Sequence, residues 1–519
     1  MPILPKDLGL PEKFNEWRPG QFEIAAKIAS SPKYAYLLDA PTGSGKSLIA
    51  AAVQRIKGVN TTYVATTKQL QDQLLHDFPY AKTLKGRANY RCLKYYRAFP
   101  EITAEDCSHT ESNKCELRHK CPYMVAKRQA LDSPLAVLNT AYFLTEINYV
   151  GAFSGRDFLV VDEFDTLEDQ LMSFIKVVIT SRQLSSLHVN PPKFKTKFES
   201  WVEWARDTLS ELRPQLRELE SQANVDVNDT WATIDVKLLR DVRNLKRLVG
   251  KLEFFTKEVD KTWIWYPQET MWTFQPVWVA RYSDASLWKH TKKVLGMSAT
   301  ILDPRQVSSN VGLTHEGRMY EYKALPSLFP KENRPVYYEP CANVVNKSIN
   351  FALPRLTKAI IGILDKHKND KILIHTVSYK IRDHIMKTVG GGRLVTHSTA
   401  NRADVLDMFK KSPKPLVLVS PSMERGVDLP QDECRVVIIA KMPYPDLGDV
   451  QVSKRIYSSV DGNNWYSHKT ISTVVQMSGR AVRSADDYAA TYILDEQFSR
   501  LYSEHKNMFP QWFKEAVIM

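Results

Sequence analysis

Tyr34-Ala-Tyr-Leu-Leu-Asp-Ala-Pro-Thr-Gly-Ser-Gly-Lys-Ser47 decides the fold. Its first five residues are short, apolar and aromatic, as a buried strand is. From Ser47 to Ile56 the chain is Ala-rich and suits a helix. Strand, glycine-bearing loop and helix, in this order, are the setting of a phosphate-binding loop. Ala40, Pro41, Thr42, Gly43, Ser44, Gly45, Lys46 and Ser47 form that loop. Gly43 and Gly45 let the backbone curl so that N–H groups point at phosphate oxygens, and the helix N-terminus adds partial positive charge. Lys46 can reach the terminal phosphates, and the Ser47 hydroxyl can hold Mg2+. The loop predicts a bound nucleoside triphosphate. What its energy drives must come from the rest of the chain.

The totals narrow the choice. A chain of 519 residues is long enough for several domains. A net charge of +13 favours a polyanionic partner, nucleic acid first. No apolar run approaches the ~18–20 residues that span a membrane, and the first residues carry neither a signal-peptide nor a transit pattern. The expectation is a cytoplasmic protein with no membrane contact. In a reducing compartment, four cysteines within one short segment point to metal more than to disulfides.

Before the loop, Arg18-Pro-Gly-Gln21 opens an amphipathic stretch, and Gln21 has the donor and acceptor that an adenine edge requires. After it, Thr62-Tyr-Val-Ala-Thr-Thr-Lys-Gln-Leu70 reads as a second buried strand. Its tip residues Thr66, Thr67 and Gln69 can touch a nucleic-acid backbone or simply cap a helix. Residues 82–128 break the α/β rhythm, with eleven Lys/Arg against five Asp/Glu. Tyr90, Tyr95, Tyr96, Phe99 and Tyr123 are interleaved among them, the mixture expected of single-strand binding. Cys92, Cys107, Cys115 and Cys121 lie inside it, spaced C-x14-C-x7-C-x5-C. Zinc sites usually contain a tight pair, absent here, so an iron–sulfur cluster leads, with zinc and ordinary thiols left open.

Asp157-Phe-Leu-Val-Val-Asp-Glu-Phe-Asp165 is an apolar strand that delivers two acids at its end. Asp162 can hold Mg2+, and Glu163 can take a proton from the attacking water. Between 168 and 262 two helical patterns recur: Trp201, Ala205, Thr208, Leu212, Leu216, Leu219, then Leu238, Val242, Leu245, Val249, Leu252. They predict a helical hairpin turning within 223–234, with Pro214 kinking its first arm. The hairpin's Lys237, Arg240, Arg243, Lys246 and Arg247 read as a solvated face or a DNA lining. Trp263–Trp288 looks extended. Beyond about residue 310, Lys371–Thr376, Pro415–Val419 and Arg435–Ala440 predict a second α/β domain. On one of its helices Gln476, Arg480 and Arg483 recur at three or four, and paired arginines facing a phosphate loop can stabilise transition-state charge.

These residues form a set. The chain resembles the superfamily 2 helicases, and among them the iron–sulfur XPD/DinG-like family. APTGSGKS resembles motif I, TTYVATTKQL motif Ia, VVDEFD the DEAH box and LGMSATI motif III. SMERGVDL, with Gly426 and Asp428, is similar to motif V, and QMSGRAVR to motif VI. LNTAYFL resembles the family's Asn-containing segment before the box. Ala40, where the general pattern has Gly, matches the family's loop. Two departures stand in the box, where Phe164 and Asp165 replace the usual Ala and His, and the last position usually couples hydrolysis to DNA.

The resemblance implies an α/β chain of two RecA-like parallel-sheet domains, with an iron–sulfur insertion and a helical Arch-like insertion in the first. The expected layout is RecA-like domain 1 in three parts (1–81, 129–167, 263–310), the cysteine domain at 82–128, the Arch-like domain at 168–262 and RecA-like domain 2 at 311–519. The cofactors implied are ATP, Mg2+ and a [4Fe-4S] cluster on the four cysteines, and the partners are single-stranded and forked duplex DNA. The implied activity is ATP-driven 5′→3′ translocation and unwinding. In it Lys46, Ser47 and Asp162 hold the Mg–phosphates, Glu163 activates water, Arg480 and Arg483 meet the developing charge, and Gln476 positions the γ-phosphate or water. Arg18, Gln21, Gly426 and Asp428 complete the nucleotide site. A monomer is expected, cytoplasmic and nucleoid-associated or virus-encoded. A translocase that strips protein or RNA from DNA, and a nucleotide-gated DNA-binding module with little turnover, are the competing readings.

Overall fold

The computed structural model describes residues 3–97, 99–107, 115–225, 236–423, 429, 431–458, 461–479, 482 and 487–519. Its strands in chain order are β1 (Ala35–Asp39), β2 (Thr61–Ala65), β3 (Lys82–Leu84), β4 (Leu135–Asn139), β5 (Phe158–Asp162), β6 (Val177–Thr180), β7 (Ile264–Pro267), β8 (Met271–Gln275) and β9 (Val294–Ser298). They continue as β10 (Tyr320–Ala324), β11 (Val336–Ala342), β12 (Ile372–His375), β13 (Leu394–Thr396), β14 (Val417–Ser420), β15 (Val436–Ile439), β16 (Ala490–Asp495) and β17 (Val517–Ile518).

Two seven-stranded sheets result, ordered β10-β1-β9-β5-β2-β4-β3 and β13-β14-β12-β15-β16-β11-β17. Every pairing in both is parallel. Parallel strands are covered on both faces, which is why their sequences are unbroken apolar runs. Successive side chains go to opposite sides. Leu37, Leu159 and Val161 enter one core of the first sheet, and Tyr36, Leu38 and Val160 enter the other. Leu373 and Val437 are separated from Ile372, Ile374 and Val436 in the same way in the second. Two RecA-like layers are therefore present, as the sequence predicts.

One boundary moves. β10 lies within the stretch expected to open the second domain, yet it pairs with β1 and closes the first sheet. The first domain therefore runs past residue 310 to Ala324. At the other edge, β3 belongs to this sheet although it begins the cysteine segment.

Between β6 and β7 rise the helices Phe198–Val225 and Val236–Glu258. The first runs through Pro214 as a single element. The turn expected at 223–234 falls largely outside the described residues. The pair is seated on a small antiparallel sheet, β6-β8-β7. There Trp201 meets Trp272 at 4.9 Å and Phe274 at 5.7 Å between ring centres. Arg243 bonds Asp106 at 2.6 Å, and Arg247 pairs with Glu105. The hairpin is thus tied to the cysteine segment. Among the described residues no helix is long and apolar enough to cross a membrane.

Phe164 needs room at the centre of the first sheet. Gly296 of β9 supplies it, since a Cβ there would come within 2.5 Å of the Phe164 ring and 2.9 Å of Leu37. The large residue in the box is matched by a missing side chain on the neighbouring strand. Gly296→Ala is expected to cost about 1–3 kcal/mol through overpacking. In a Phe164→Ala background, itself destabilised by its cavity, the added cost of Gly296→Ala should be smaller, and equilibrium unfolding of the four-member cycle measures the coupling.

Candidate functional site

The phosphate loop joins β1 to the helix Lys46–Lys57. Gly43 and Gly45 have φ of 78° and 76°, left-handed values that favour glycine. No side chain caps the first turn of the helix, so its N–H groups remain suited to an anion. Lys46 Nζ rests on the Ala40 carbonyl at 3.2 Å. The Ala40 methyl is buried in the core, and its N–H bonds the Ser298 carbonyl at 2.7 Å. Gln21 is also buried. Its amide donates to the Ser44 carbonyl at 2.8 Å and accepts from the Arg18 N–H at 2.8 Å. The side chain expected to face adenine therefore ties the loop to the Arg18 turn.

Asp162 ends β5 beneath the loop. Tyr63 donates to Oδ2 at 2.8 Å and the Glu163 N–H to Oδ1 at 3.0 Å. Burial raises the Asp162 pKa and the Lys46 ammonium opposes it, which places the two side chains together. Glu163 adopts φ 52° and ψ 50°, a strained setting for a residue with a Cβ and one that recurs at functional sites. Tyr63 escaped the sequence reading because it looks like any strand aromatic. Its hydroxyl becomes meaningful only when β2 lies beside β5.

Asp165 is the centre of the site. Ser298 Oγ donates to it at 2.7 Å, Thr300 Oγ1 at 3.0 Å and Gln476 Nε2 at 2.9 Å. Gln476 also reaches Thr300 Oγ1 at 2.8 Å. Ser298 and Thr300 follow β9, whereas Gln476 lies on the helix Gly462–Ser478 of the second domain. The position that departs from the usual His thus joins both domains through an acceptor bonded from each of them.

Gly426, Asp428, Arg480 and Arg483 lie outside the described residues. Helix Gly462–Ser478 ends at Gly479, directly before Arg480. From the other side, the Phe329 ring packs so closely on Gly43 that no Cβ would fit there. Phe329 belongs to the core of the second domain, so that core touches the phosphate loop.

The four clustered cysteines converge. Cys92, Cys107, Cys115 and Cys121 line one cavity of about 40 Å³ with Arg87, Leu117, Tyr123 and Met124. None is in a disulfide. The Lys94 and Tyr95 N–H groups point at the Cys92 sulfur. Among the described residues no group of three or more His, Cys, Asp or Glu is drawn together as around a single ion. Four cysteine side chains about one apolar space are a donor set that fits an iron–sulfur cluster, and also zinc. Tyr123 is buried and packs on Tyr90, leaving Tyr96 as the exposed ring of that segment. Arg243, Lys246 and Arg247 are all ion-paired, so those three do not form a free DNA lining. Thr67 caps its own helix through the Leu70 N–H.

Known proteins agree with this geometry. The DEAD/DEAH box helicase model matches residues 18–197, and a helicase C-terminal domain model matches 360–516. The two models mark the chain as a DEAD/DEAH box helicase with a helicase C-terminal domain, and it is similar to the XPD/DinG-like helicases of superfamily 2. The ATP-dependent DNA helicase YoaA of Haemophilus influenzae is 21% identical, over 94% of this chain and 92% of that protein. The ATP-dependent DNA helicase CHL1 of Vanderwaltozyma polyspora is 27% identical over 24% of this chain, and the match spans only 17% of its own length. A solved XPD helicase superposes with a TM-score of 0.65 at 18% identity, covering 96% of this chain and 99% of that one. The superposition establishes the shared fold.

This helicase also carries an acid that the motifs do not mark. Asp39 ends β1, is buried, and accepts from the Leu302 N–H at 2.9 Å. Burial, with Asp165 nearby, pushes its pKa up to about 6. The native state then keeps a proton that the unfolded chain, titrating near ~3.9, has released. Stability is accordingly expected to fall as pH rises from about 4 to 6 and to stay lower above that. Asp39→Asn should flatten this slope and raise stability at neutral pH by about 1–3 kcal/mol. Thermal midpoints across pH 4–8 measure both effects.

Proposed function

We propose that this chain is an ATP-dependent DNA helicase that translocates on single-stranded DNA and unwinds duplex with 5′→3′ polarity. The observation that carries the reading is the Asp165 junction, where an acid three residues after Asp162 is bonded by the second domain. A nucleotide held at Lys46 and Ser47 would lie on the same sheet edge as a group whose bonding depends on how the domains meet.

In this reading Lys46 neutralises the terminal phosphates, and Ser47 and Asp162 would hold Mg2+. Glu163 takes the proton of the attacking water. Arg480 and Arg483 complete the site from the second domain, and Gln476 orients the water or γ-phosphate while bonded to Asp165. Hydrolysis loosens the contact and lets the sheets shift along the strand. The DNA assignment, the polarity and a monomeric state follow from family resemblance. Residues 82–128 would form the cluster domain and 168–262 the Arch-like domain, which together divide the duplex. Cys92, Cys107, Cys115 and Cys121 would hold a [4Fe-4S] cluster whose chemistry is structural or redox support for that wedge.

Three experiments test these statements. Lys46→Ala is expected to lower DNA-stimulated ATP hydrolysis at least about a hundredfold while single-strand binding persists. The wild type should unwind 5′-tailed but not 3′-tailed duplex, and equal use of both tails would overturn the polarity. Protein purified without oxygen should contain iron and sulfide with visible absorbance, and Cys92→Ser should lose both. Stoichiometric zinc instead would remove the cluster from the reading.

A further inference from the structure

Asp165 is not the only place where the described residues of the two domains meet. Arg455, on the second-domain helix Val450–Ser458, is 3% exposed, and Glu168 of the first domain is 4% exposed. Arg455 Nη1 lies 2.7 Å from Glu168 Oε1. The guanidinium sits 4.4 Å from the Trp278 ring centre and 4.6 Å from that of Trp465, and its Nε donates to the Val277 carbonyl at 2.8 Å. Trp465 Nε1 and Asn310 Nδ2 each reach Glu168 Oε2 at 3.4 Å. Two rings, an acid and a carbonyl thus hold one planar cation.

An apolar contact of similar size would join the domains at least as firmly. A planar guanidinium adds direction, because stacking and hydrogen bonds each fix its plane. That direction passes to the helix Gly462–Ser478. A Cβ on Gly462 would come within 2.7 Å of the Arg455 carbonyl carbon, so the start of the helix lies directly against Arg455. Along the helix, Trp465 meets Glu168, Lys469 meets Asp169 at 2.9 Å, and Gln476 meets Asp165 at 2.9 Å. The segment from Asp165 to Asp169 and this helix therefore lie side by side, and the buried cation sets how they align.

We propose that Arg455 and Glu168 are positioning residues for hydrolysis: their pair, clasped by Trp278 and Trp465, sets the register of helix Gly462–Ser478 against the Asp165 segment. Gln476 meets Asp165 and Thr300 only in that register. The inference rests on the helicase reading for its kinetic consequence and on the geometry alone for its structural one.

Glu168→Gln keeps the shape of the acid without its charge, and Arg455→Lys keeps the charge without the plane. Both are to be compared with the wild type in single-strand-stimulated ATP hydrolysis, thermal unfolding, and the distance between bio-orthogonal labels at exposed Lys27 and Asp365. The expected result is a folded protein with KM for ATP within about twofold, since Lys46, Ser47 and Gln21 are in the first domain, and kcat lower by about 10- to 100-fold. The distance distribution should broaden in both variants. Wild-type kcat and distances in both, or a loss of activity that only follows the unfolded fraction, would overturn the proposal. Absence of DNA-stimulated hydrolysis in the wild type would instead refute the helicase reading, and the label distances would still decide the register.

Discussion

Everything at the cleft depends on the solvation of one carboxylate. Burying Asp165 removes it from water, which is costly unless protein donors take water's place. Ser298 and Thr300, at the end of the strand beside β1, are two of those donors from its own domain, and Gln476, across the cleft, is a third. The first two hold the acid in place whatever the second domain does. The third is available only in one relative placement of the domains. A group solvated in this divided way converts domain placement into local electrostatics close to Lys46, Asp162 and Asp39.

The two departures in the box are resolved by packing and polarity that a single strand of letters does not display. Phe164 is accommodated by Gly296, which is in register with Val161 on β5. Asp165 accepts where the usual His would offer a ring, and the surrounding Ser, Thr and Gln all donate. Each departure is balanced by residues far away in sequence, so a motif inspected alone makes the site look weaker than its packing and donors make it.

What was legible in the sequence was local. The β1 and β5 runs are buried throughout and read as strands, and the hairpin's apolar spacing named Trp201, Ala205 and Leu212, all of them buried. β10 was missed because Tyr320–Ala324 is an edge strand carrying Glu and Lys, half-exposed and lacking the unbroken apolar run. Tyr63, Asp39, Glu168 and Arg455 were missed for another reason. Their roles exist only through contacts with residues remote in the chain, and nothing in the local pattern distinguishes them from ordinary strand and helix positions. The cysteines fell between these cases: spacing left cluster, zinc and thiols open, and convergence on one cavity required the fold.

The parallel sheet explains why such scattered residues meet. With every strand running the same way, all carboxyl ends lie along one rim, where α/β proteins place their loops. The phosphate loop leaves β1, Thr66 and Thr67 follow β2, the cysteine segment follows β3, Asn139 ends β4, the acidic box ends β5, and Ser298–Thr300 end β9. Asn139 Nδ2 bonds the Thr66 carbonyl at 3.2 Å, which links two of these loops directly. The hairpin emerges downstream of the same rim and reaches the cysteine segment through Arg243 and Asp106. A movement of the second domain is therefore felt at Asp165, which follows a strand separated from that of the phosphate loop by β9 and lies on the same edge as the insertions. The phosphate loop and the insertions thus share one rim of the sheet, with no long chain of intermediates between them.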